Sequence, residues 1–269
     1  NFAELRAELQ ARGHSFRSHS DTEVVVHLYE QYGVECVQRM RGVFALAIWD
    51  ERQRRLFLAR DRLGVKPLYY AFAPDAFLFA SEIKCLLAHP RLARAVDDEA
   101  FYHFLTFLTA PAPQTLFKGI LKLPPGHRAV VNAEGEIRVE EYWDVFTSAQ
   151  PDENPGAAEQ AERVQAGLRE SVRLRMVSDV PFGVLLSGGI DSSINVALMA
   201  TQMDRPVQTY SIGYKGAAVE EFNELHYARK VADRFGADHH EILIGREDLT
   251  NFLPDLIYHQ DEPIADPVC

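Results

Sequence analysis

The fold of the second half of this 269-residue chain is decided by the stretch Val180-Pro181-Phe182-Gly183-Val184-Leu185-Leu186-Ser187-Gly188-Gly189-Ile190-Asp191-Ser192-Ser193. The apolar run that ends at Leu186 is short and well bounded, which predicts a buried strand rather than a helix. Two glycines follow it, and residues 194–199 then have the pattern of a helix start. The order predicts a strand, a glycine loop and the N-terminus of a helix.

This arrangement favours the binding of an anion. Glycines allow backbone N–H groups to come close to phosphate oxygens, and the unpaired N–H groups together with the helix dipole attract negative charge. Ser187, Ser192 and Ser193 add hydroxyl donors, and the Asp191 carboxylate is a suitable ligand for Mg²⁺ beside the phosphates. A glycine-rich turn without a ligand is the alternative, but strand, loop and helix stand in the order that a phosphate site needs.

The loop differs from a Walker A motif, which has a longer spacing between its glycines and a lysine before the Ser/Thr. The run from Ser187 to Ser193 resembles instead the pyrophosphate loop of the ATP pyrophosphatase family. The resemblance implies cleavage of ATP between its alpha and beta phosphates, with adenylation of a carboxylate or carbonyl oxygen.

Strands and helices alternate through the second half of the chain. Residues 207–212 and 240–244 have the pattern of further strands, and an amphipathic helix that ends at Gly236 lies between them. This alternation predicts a parallel, doubly wound sheet, whose ligands bind beyond the C-terminal ends of the strands. The loops after Leu186 and Ile212 both lie at that edge, and Ile212 itself is expected to be a buried strand residue.

Composition limits the class of protein. The length suggests about two domains, and 47% apolar and 25% charged residues are ordinary for a soluble globular protein. A net charge of −11 argues against a nucleic-acid partner. No apolar run reaches the length of a membrane span and no signal peptide opens the chain, so we expect a cytoplasmic protein. Cys36, Cys85 and Cys269 are expected to be free thiols, the first two in buried packing.

The first half begins with helices and continues with strands. Ser20 and Glu23 form a capping-box signature at the start of the second helix. Apolar runs at 43–49, 56–59, 68–72 and 77–80 predict strands joined by short connections, and residues 128–131 and 136–142 predict a hairpin. Most runs are continuous rather than alternating, which indicates strands covered on both faces. The pattern predicts a layered α/β arrangement with an antiparallel sheet.

Four segments of this half, residues 1–6, 20–24, 42–50 and 59–70, resemble the class II glutamine amidotransferase domain, and most closely that of glutamine-hydrolysing asparagine synthetases. The resemblance implies the N-terminal-nucleophile fold, with a cysteine nucleophile as the first residue of the mature chain. No residue here matches that cysteine, so no catalytic residue is assigned. We expect the chain to be truncated at both ends relative to the family.

Within this resemblance, Asp21 is the glutamine-binding residue, and its carboxylate would pair with the alpha-ammonium group of glutamine. The alternative is that Asp21 only favours the helix dipole. The resemblance also implies that backbone at Leu185 and Ile212 surrounds the adenine and ribose. The residues expected to bind ATP are Leu185, Ser187, Gly188, Gly189, Asp191, Ser192, Ser193 and Ile212, with Asp191 also as the metal ligand.

Three further groups of polar residues have open interpretations. The loop that contains Arg60, Asp61, Arg62 and Lys66 is expected to be a turn held by local ion pairs. His239-His240-Glu241 suggests a metal cluster, but alternation along a strand would send the two histidines to opposite faces. Asp261, Glu262 and Asp266 either contribute to an aspartate pocket, as the resemblance implies, or are solvated surface acids.

The resemblance predicts two domains, a class II glutamine amidotransferase domain at 1–146 and an ATP-binding synthetase domain at 159–269, joined by a linker at 147–158. The expected function is ATP-dependent asparagine synthesis, with ATP and Mg²⁺ as cofactors and glutamine and aspartate as substrates; homodimer formation is left open. One alternative is a related amidotransferase or beta-lactam-type synthetase with another carboxylate acceptor. The other is a non-catalytic nucleotide-binding homologue, which the residues upstream of Asn1 would distinguish.

Overall fold

The computed structural model describes residues 1–148, 156–216 and 223–263. The chain divides into two compact units, Asn1–Pro151 with Ile257–Cys269, and Asp152–Leu256. Within the described ranges, no helix combines the length and the apolar character needed to cross a membrane.

The first unit begins with two helices and a 3-10 helix, which precede a series of short strands. The helices are α1 (Phe2–Ala11), α2 (Asp21–Tyr32), the 3-10 helix (Gly33–Arg39), α3 (Ile83–Leu87), α4 (Asp98–Phe107) and α5 (Val145–Ser148). The strands are β1 (Ala45–Asp50), β2 (Arg55–Arg60), β3 (Tyr69–Ala73), β4 (Ala76–Ala80), β5 (Ile120–Lys122), β6 (His127–Val131) and β7 (Ile137–Glu141).

Helix α2 begins at the predicted cap, but not with the predicted capping box. The Ser20 hydroxyl accepts a hydrogen bond from the Thr22 backbone N–H at 3.1 Å, which satisfies one of the free donors of the first turn. Glu23 does not return to the Ser20 backbone. Its carboxylate accepts instead from the backbone N–H groups of Arg17 and Ser18, both at 2.7 Å. The Ser20 N–H donates to the Ser18 hydroxyl, so Glu23 fixes the connection before the helix.

The strands of the first unit form two antiparallel sheets, whereas the sequence suggested a single one. One sheet has the order β1-β2-β6-β7 and the other has the order β4-β3-β5. The antiparallel pairs β1–β2 and β3–β4 therefore belong to different sheets. The predicted later hairpin extends the first sheet, because β6 pairs with β2 and places Ala129 opposite Leu58.

The packing partners alternate along β2, which shows how these sheets are layered. Phe57 and Ala59 pack with the residues of α1 and α2 that are buried, whereas Leu58 packs with Tyr70 of the second sheet. The next residue of β3, Ala71, packs on the other side of that sheet with α3. The order of layers is thus helix, sheet, sheet, helix. Both faces of β2 are covered, which confirms the layered arrangement and the interpretation of its continuous apolar run.

The charged turn after β2 is held by backbone groups rather than by the predicted ion pairs. The Asp61 side chain is buried. Its carboxylate accepts hydrogen bonds from the backbone N–H groups of Leu63, Val65 and Lys66 at 2.9–3.2 Å. A fourth comes from the Phe44 N–H, just before β1, at 3.3 Å. A carboxylate satisfied by several N–H groups can be buried without a cation beside it.

Arg60 completes the same turn from the other side. Its guanidinium donates to the backbone carbonyls of Gly64, Lys66 and Leu123 at 2.6–2.7 Å, and burial lowers its pKa. The Tyr142 hydroxyl donates to the Arg60 carbonyl at 2.8 Å, and burial raises the pKa of that tyrosine. These contacts join the turn to segments about sixty and eighty residues later in the chain.

The second unit contains a three-stranded parallel sheet in the order β10-β9-β8, which confirms the predicted α/β class. Strand β8 has two residues, β9 and β10 have seven each, and helices separate the three strands along the chain. The elements are α6 (Ala157–Arg175), β8 (Val184–Leu185), α7 (Ile190–Ala200), β9 (Gln208–Tyr214), α8 (Leu225–Phe235), β10 (Asp238–Ile244) and α9 (Arg246–Gln260), which runs across the division between the units.

Helices α7 and α8 pack against one face of this sheet. Leu186, at the end of β8, forms a buried cluster with Val196 of α7 and Ala228 of α8. Along β9, Thr209 and Ser211 are buried while Ile212 is 54% exposed. The expectation that Ile212 is a buried strand residue is therefore wrong, because its side chain alternates to the sheet face opposite α7 and α8.

The cysteines differ from one another in environment. Cys36 is buried, as predicted, and burial raises the pKa of its thiol to about 11. Cys85 is exposed, although its apolar neighbours suggested buried packing. Of the five residues in α3, Ile83 and Leu86 face the core instead. Cys269 lies outside the described residues.

The Asp61 turn predicts a large effect of a small substitution. Asp61→Asn should lower the free energy of unfolding by about 3 kcal/mol, because an amide NH₂ would replace an acceptor oxygen among backbone donors. Asp75→Asn is the matched control, since that exposed carboxylate only pairs with Arg91 at the surface, 3.1 Å away, and should change stability by about 0.5 kcal/mol or less. Urea unfolding measures both, and equal midpoints for the two variants would contradict the role given to Asp61.

Candidate functional site

The glycine loop of the second unit begins where β8 is fixed to β9. The Leu186 backbone N–H donates to the Tyr210 carbonyl at 2.8 Å. On the other side, the buried Ser211 hydroxyl donates to the Leu186 carbonyl. Both backbone groups of Leu186 are satisfied, so the chain leaves the sheet at a defined point, and Ser187 is the first loop residue.

Only a glycine fits at position 188. Gly188 has φ +84°, a conformation that favours glycine. A Cβ atom there would also lie against the Tyr227 backbone and 2.7 Å from the Ala228 backbone nitrogen. The loop therefore lies directly against the first turn of α8. This close approach, which the sequence motif alone does not reveal, sets the path of the loop.

The three serines of the loop form a connected set of hydrogen bonds. The hydroxyls of Ser187 and Ser192 are 3.1 Å apart, and the Gly189 N–H donates to the Ser187 hydroxyl at 3.2 Å. The Ser193 hydroxyl donates to the Gly189 carbonyl at 2.6 Å. These bonds hold the loop around the N-terminus of α7. Ser187 is exposed and Ser192 and Ser193 are partly exposed, so their hydroxyls are accessible to a ligand.

Helix α7 starts immediately after Gly189, and Asp191 is in its first turn. The N–H groups of the first turn have no acceptor within the helix, and the helix dipole adds positive potential there. The Asp191 side chain is exposed. Within the residues that the structure describes, no group forms a hydrogen bond or ion pair with its carboxylate. The site thus combines donors suited to an anion with one free carboxylate suited to a cation.

Leu185 and Ile212 lie on one face of the sheet, next to this loop. Leu185 pairs with Tyr210 in the parallel register, and Ile212 follows Tyr210 by two residues, so the three side chains share a face. They are 78%, 45% and 54% exposed, respectively. The structure therefore brings both predicted adenine-contacting positions to the strand ends beside Ser187. The sequence reasoning missed Tyr210, whose ring stacks on His240 at 5.1 Å between centroids.

Asp21, the predicted glutamine-binding residue, is the first residue of α2 in the other unit. Its side chain is exposed. The hydroxyls of Ser20 and Thr22 each lie 3.4 Å from one of its carboxylate oxygens. Ser20 caps the helix, as predicted, so the cap does not consume the Asp21 carboxylate. The exposed carboxylate of Asp21 can therefore bind a cationic group of a ligand. Its position in the first turn also fits the alternative, a favourable interaction with the dipole of α2.

Asp261 and Glu262 are bonded acids rather than solvated surface acids. Asp261 accepts from the Ile83 N–H at 2.7 Å and pairs with Lys84 at 3.0 Å. Glu262 accepts from the Leu116 N–H at 2.6 Å and pairs with Lys122 at 3.2 Å. The expectation of solvated surface acids is therefore wrong, because both carboxylates are bonded within the first unit, to which they belong. The aspartate-pocket role stays a prediction. Asp266 lies outside the described residues.

The two adjacent histidines of β10 lie on opposite faces of the sheet, as alternation predicted. His239 contacts the buried Thr209 hydroxyl at 2.9 Å, whereas His240 stacks on the exposed Tyr210. Glu241 is engaged by Arg229 through two hydrogen bonds of 2.6 Å. His239 also lies 3.2 Å from Glu241 on the same face, whereas His240 points to the other face, so the three side chains do not converge on one point.

Two family models match the chain. Residues 1–143 match the glutamine amidotransferase domain, and residues 163–269 match asparagine synthase. The limits predicted for the linker, 147–158, stay a prediction, since residues 149–155 lie outside the described part of the chain.

Relatives with curated names match most of the chain. An asparagine synthetase (glutamine-hydrolysing) 3 of Bacillus subtilis is 36% identical over 98% of this chain and 44% of its own length. The amidase chry2 of Gibberella zeae is 31% identical over 93% of this chain and 39% of its own length. The chain thus spans less than half the length of these relatives.

A solved structure, a glutamine phosphoribosylpyrophosphate amidotransferase from B. subtilis, aligns over 93% of this chain and 69% of its own, with a TM-score of 0.38 and 14% identity. The family assignment depends on the two domain matches and on the sequence relatives. The chain belongs to the family of glutamine-hydrolysing asparagine synthetases, with a glutamine amidotransferase domain followed by an asparagine synthase domain.

Proposed function

We propose that the protein carrying this chain makes asparagine from aspartate, ATP and glutamine. The observation that carries the proposal is the loop from Ser187 to Ser193, where free first-turn N–H groups, three hydroxyls and the free Asp191 carboxylate meet at the end of a parallel strand. The presence of a glutamine amidotransferase domain before this loop in the same chain supports the same conclusion.

In the proposed reaction, a carboxylate oxygen of aspartate attacks the alpha-phosphorus of ATP, and the bond to pyrophosphate breaks. Ammonia from glutamine then attacks the acyl carbon of the adenylate, and AMP leaves with the oxygen. The loop residues act in the first step. N–H groups at the start of α7 and the Ser187, Ser192 and Ser193 hydroxyls bind the pyrophosphate oxygens, on which negative charge develops.

The residues present fit Mg²⁺ beside these phosphates. Asp191 offers an exposed carboxylate with no partner in the described residues, and hard divalent cations prefer oxygen ligands of this kind. Bound there, the ion would neutralise part of the phosphate charge. Leu185 and Ile212 lie on the adjoining sheet face, where their backbone could border the adenine and ribose.

For the other half of the reaction, we propose that Asp21 binds the alpha-ammonium group of glutamine. Its carboxylate is exposed at the start of α2, and the two neighbouring hydroxyls contact it only at 3.4 Å. A charge-assisted hydrogen bond to an ammonium group is shorter and stronger than such contacts. Glutamine binding would therefore add a partner to Asp21 without breaking the helix cap.

A second candidate is a related enzyme that forms an amide from another carboxylate. The relative named as an amidase favours it, since that protein matches the same residues of this chain at 31% identity. The carboxylates of Asp261 and Glu262 pair with Lys84 and Lys122, so they do not by themselves mark the acceptor as aspartate. The loop chemistry is common to both candidates, and only the acceptor separates them.

The products of ATP cleavage test the proposed reaction. The full-length protein, incubated with alpha-labelled ATP, Mg²⁺, aspartate and ammonium, should form AMP and pyrophosphate in equal amounts, and AMP only when aspartate is present. Labelled ADP as the main product would contradict the reaction, because it marks transfer of the terminal phosphoryl group. AMP formed with another carboxylate but not with aspartate would favour the second candidate.

Asp191→Asn should weaken the binding of Mg²⁺-ATP by about tenfold or more, because a neutral amide lacks the negative charge with which the carboxylate attracts the cation. Asp204→Asn is the matched control, since Asp204 is an exposed acid just beyond the other end of α7. Calorimetry of the full-length variants measures both affinities. Equal affinities of the two variants for Mg²⁺-ATP would contradict the assignment of Asp191 as a metal ligand.

Asp21→Asn should raise the KM for glutamine by about tenfold or more, the loss expected for one charge-assisted hydrogen bond. Activity with ammonium in place of glutamine should not change. Asp98→Asn controls for the helix dipole, because Asp98 is likewise the exposed first residue of a helix, α4. An unchanged KM for glutamine in Asp21→Asn would contradict the proposed binding of the ammonium group. The same rise in both variants would also contradict it, and Asp21 would then act only on the helix dipole.

A further inference from the structure

A cluster of two histidines and a glutamate lies outside the sites described above, in the first unit. His14 is in the connection between α1 and α2, and His27 and Glu30 lie one turn apart on α2. The side chains of His14 and His27 are 12% and 18% exposed, and that of Glu30 is 67% exposed. Among residues 1–148, 156–216 and 223–263, these three are the group of histidine, cysteine or acidic side chains with spacing suited to a metal ion.

The distances among the three potential ligand atoms match a tetrahedral site. The Nδ1 atoms of His14 and His27 are 3.1 Å apart. A carboxylate oxygen of Glu30 lies 3.4 Å from His27 Nδ1 and 3.7 Å from His14 Nδ1. Ligands that bind zinc at about 2.0–2.1 Å in a tetrahedron are about 3.3 Å from one another. The three atoms therefore form one face of such a tetrahedron.

The outer nitrogens of both rings face acceptors. His14 Nε2 lies 3.1 Å from the Gln31 side-chain oxygen, and His27 Nε2 lies 3.8 Å from a Glu23 carboxylate oxygen. A proton on each Nε2 would face these oxygens and would leave a lone pair on each Nδ1.

Without a metal ion, the two Nδ1 atoms at 3.1 Å are satisfied only if one ring carries a proton there and donates it to the other. With both protons on Nε2, the two Nδ1 lone pairs and the Glu30 carboxylate would all face the same space. A bound metal ion would accept all three lone pairs. The outer contacts to Gln31 and Glu23 are also of the kind that orient metal-binding histidines, which usually donate their other N–H to a carbonyl or carboxylate.

We propose that His14, His27 and Glu30 bind one divalent transition-metal ion of the zinc type, with water as the fourth ligand. Imidazole nitrogens favour zinc-like ions, whereas Mg²⁺ and Ca²⁺ prefer sites made only of oxygen. The ion would join the connection before α2 to the body of that helix. The Phe16 ring packs edge-on against His27, with centroids 4.5 Å apart, and covers one side of the cluster.

Zinc titration of the purified, chelator-treated protein against a fluorescent zinc chelator tests the proposal. The wild type should bind one tight equivalent, and the affinity should fall at least tenfold in His14→Ala and in Glu30→Gln. Glu30 is exposed, so the second variant should keep the fold. His19→Ala is the matched control, since His19 is an exposed histidine of the same connection, and it should bind zinc like the wild type.

Two further measurements make the result decisive. Zinc should raise the melting temperature of the wild type and of His19→Ala, but not that of His14→Ala or Glu30→Gln. Cobalt in place of zinc should give the strong visible absorption of a tetrahedral site. A wild type that binds no tight zinc would overturn the proposal and leave a proton shared between the rings. A site lost in His240→Ala but kept in His14→Ala would place the metal on β10 and also overturn it.

Discussion

The first unit depends on one buried charge that is satisfied almost entirely by backbone. The Asp61 carboxylate gathers four N–H groups from the turn that follows it and from the residue before β1. Arg60 contacts the carbonyls of the same turn, and Tyr142 binds the Arg60 carbonyl. A buried carboxylate costs several kcal/mol unless it is fully bonded. These contacts therefore fix where the first sheet ends and where the second begins.

The second unit shows the same principle at its loop. Leu186 has both backbone groups bonded to β9, and Gly188 touches the backbone of α8 where no Cβ could fit. The strand end and the helix start are thus fixed by neighbours rather than by the loop itself. Asp191 and the first-turn N–H groups are then presented without partners in the described residues. Rigid surroundings with free functional groups are what a preformed phosphate site requires.

The acidic residues of the chain have three different fates, which composition could not separate. Asp61 binds backbone N–H groups, Asp261 binds Lys84 and the Ile83 N–H, and the Asp191 carboxylate has no partner among the residues that the structure describes. The Glu23 carboxylate accepts a hydrogen bond from the Arg17 backbone in the connection before α2, and it faces His27. The net charge of −11 does not indicate which acidic residue has which of these partners. Function at the proposed sites depends on the acids that the fold leaves unpaired.

The sequence by itself determined the local features of this protein. The cap at Ser20, the strand–loop–helix around Gly188 and the alternation of His239 and His240 follow from nearest-neighbour chemistry and side-chain periodicity, which short segments encode. Only the tertiary structure decided that the first-half strands form two sheets, that Asp61 binds backbone, and that His14 meets His27. These outcomes depend on which distant segments pack together, and a pattern of local propensity does not specify such partners.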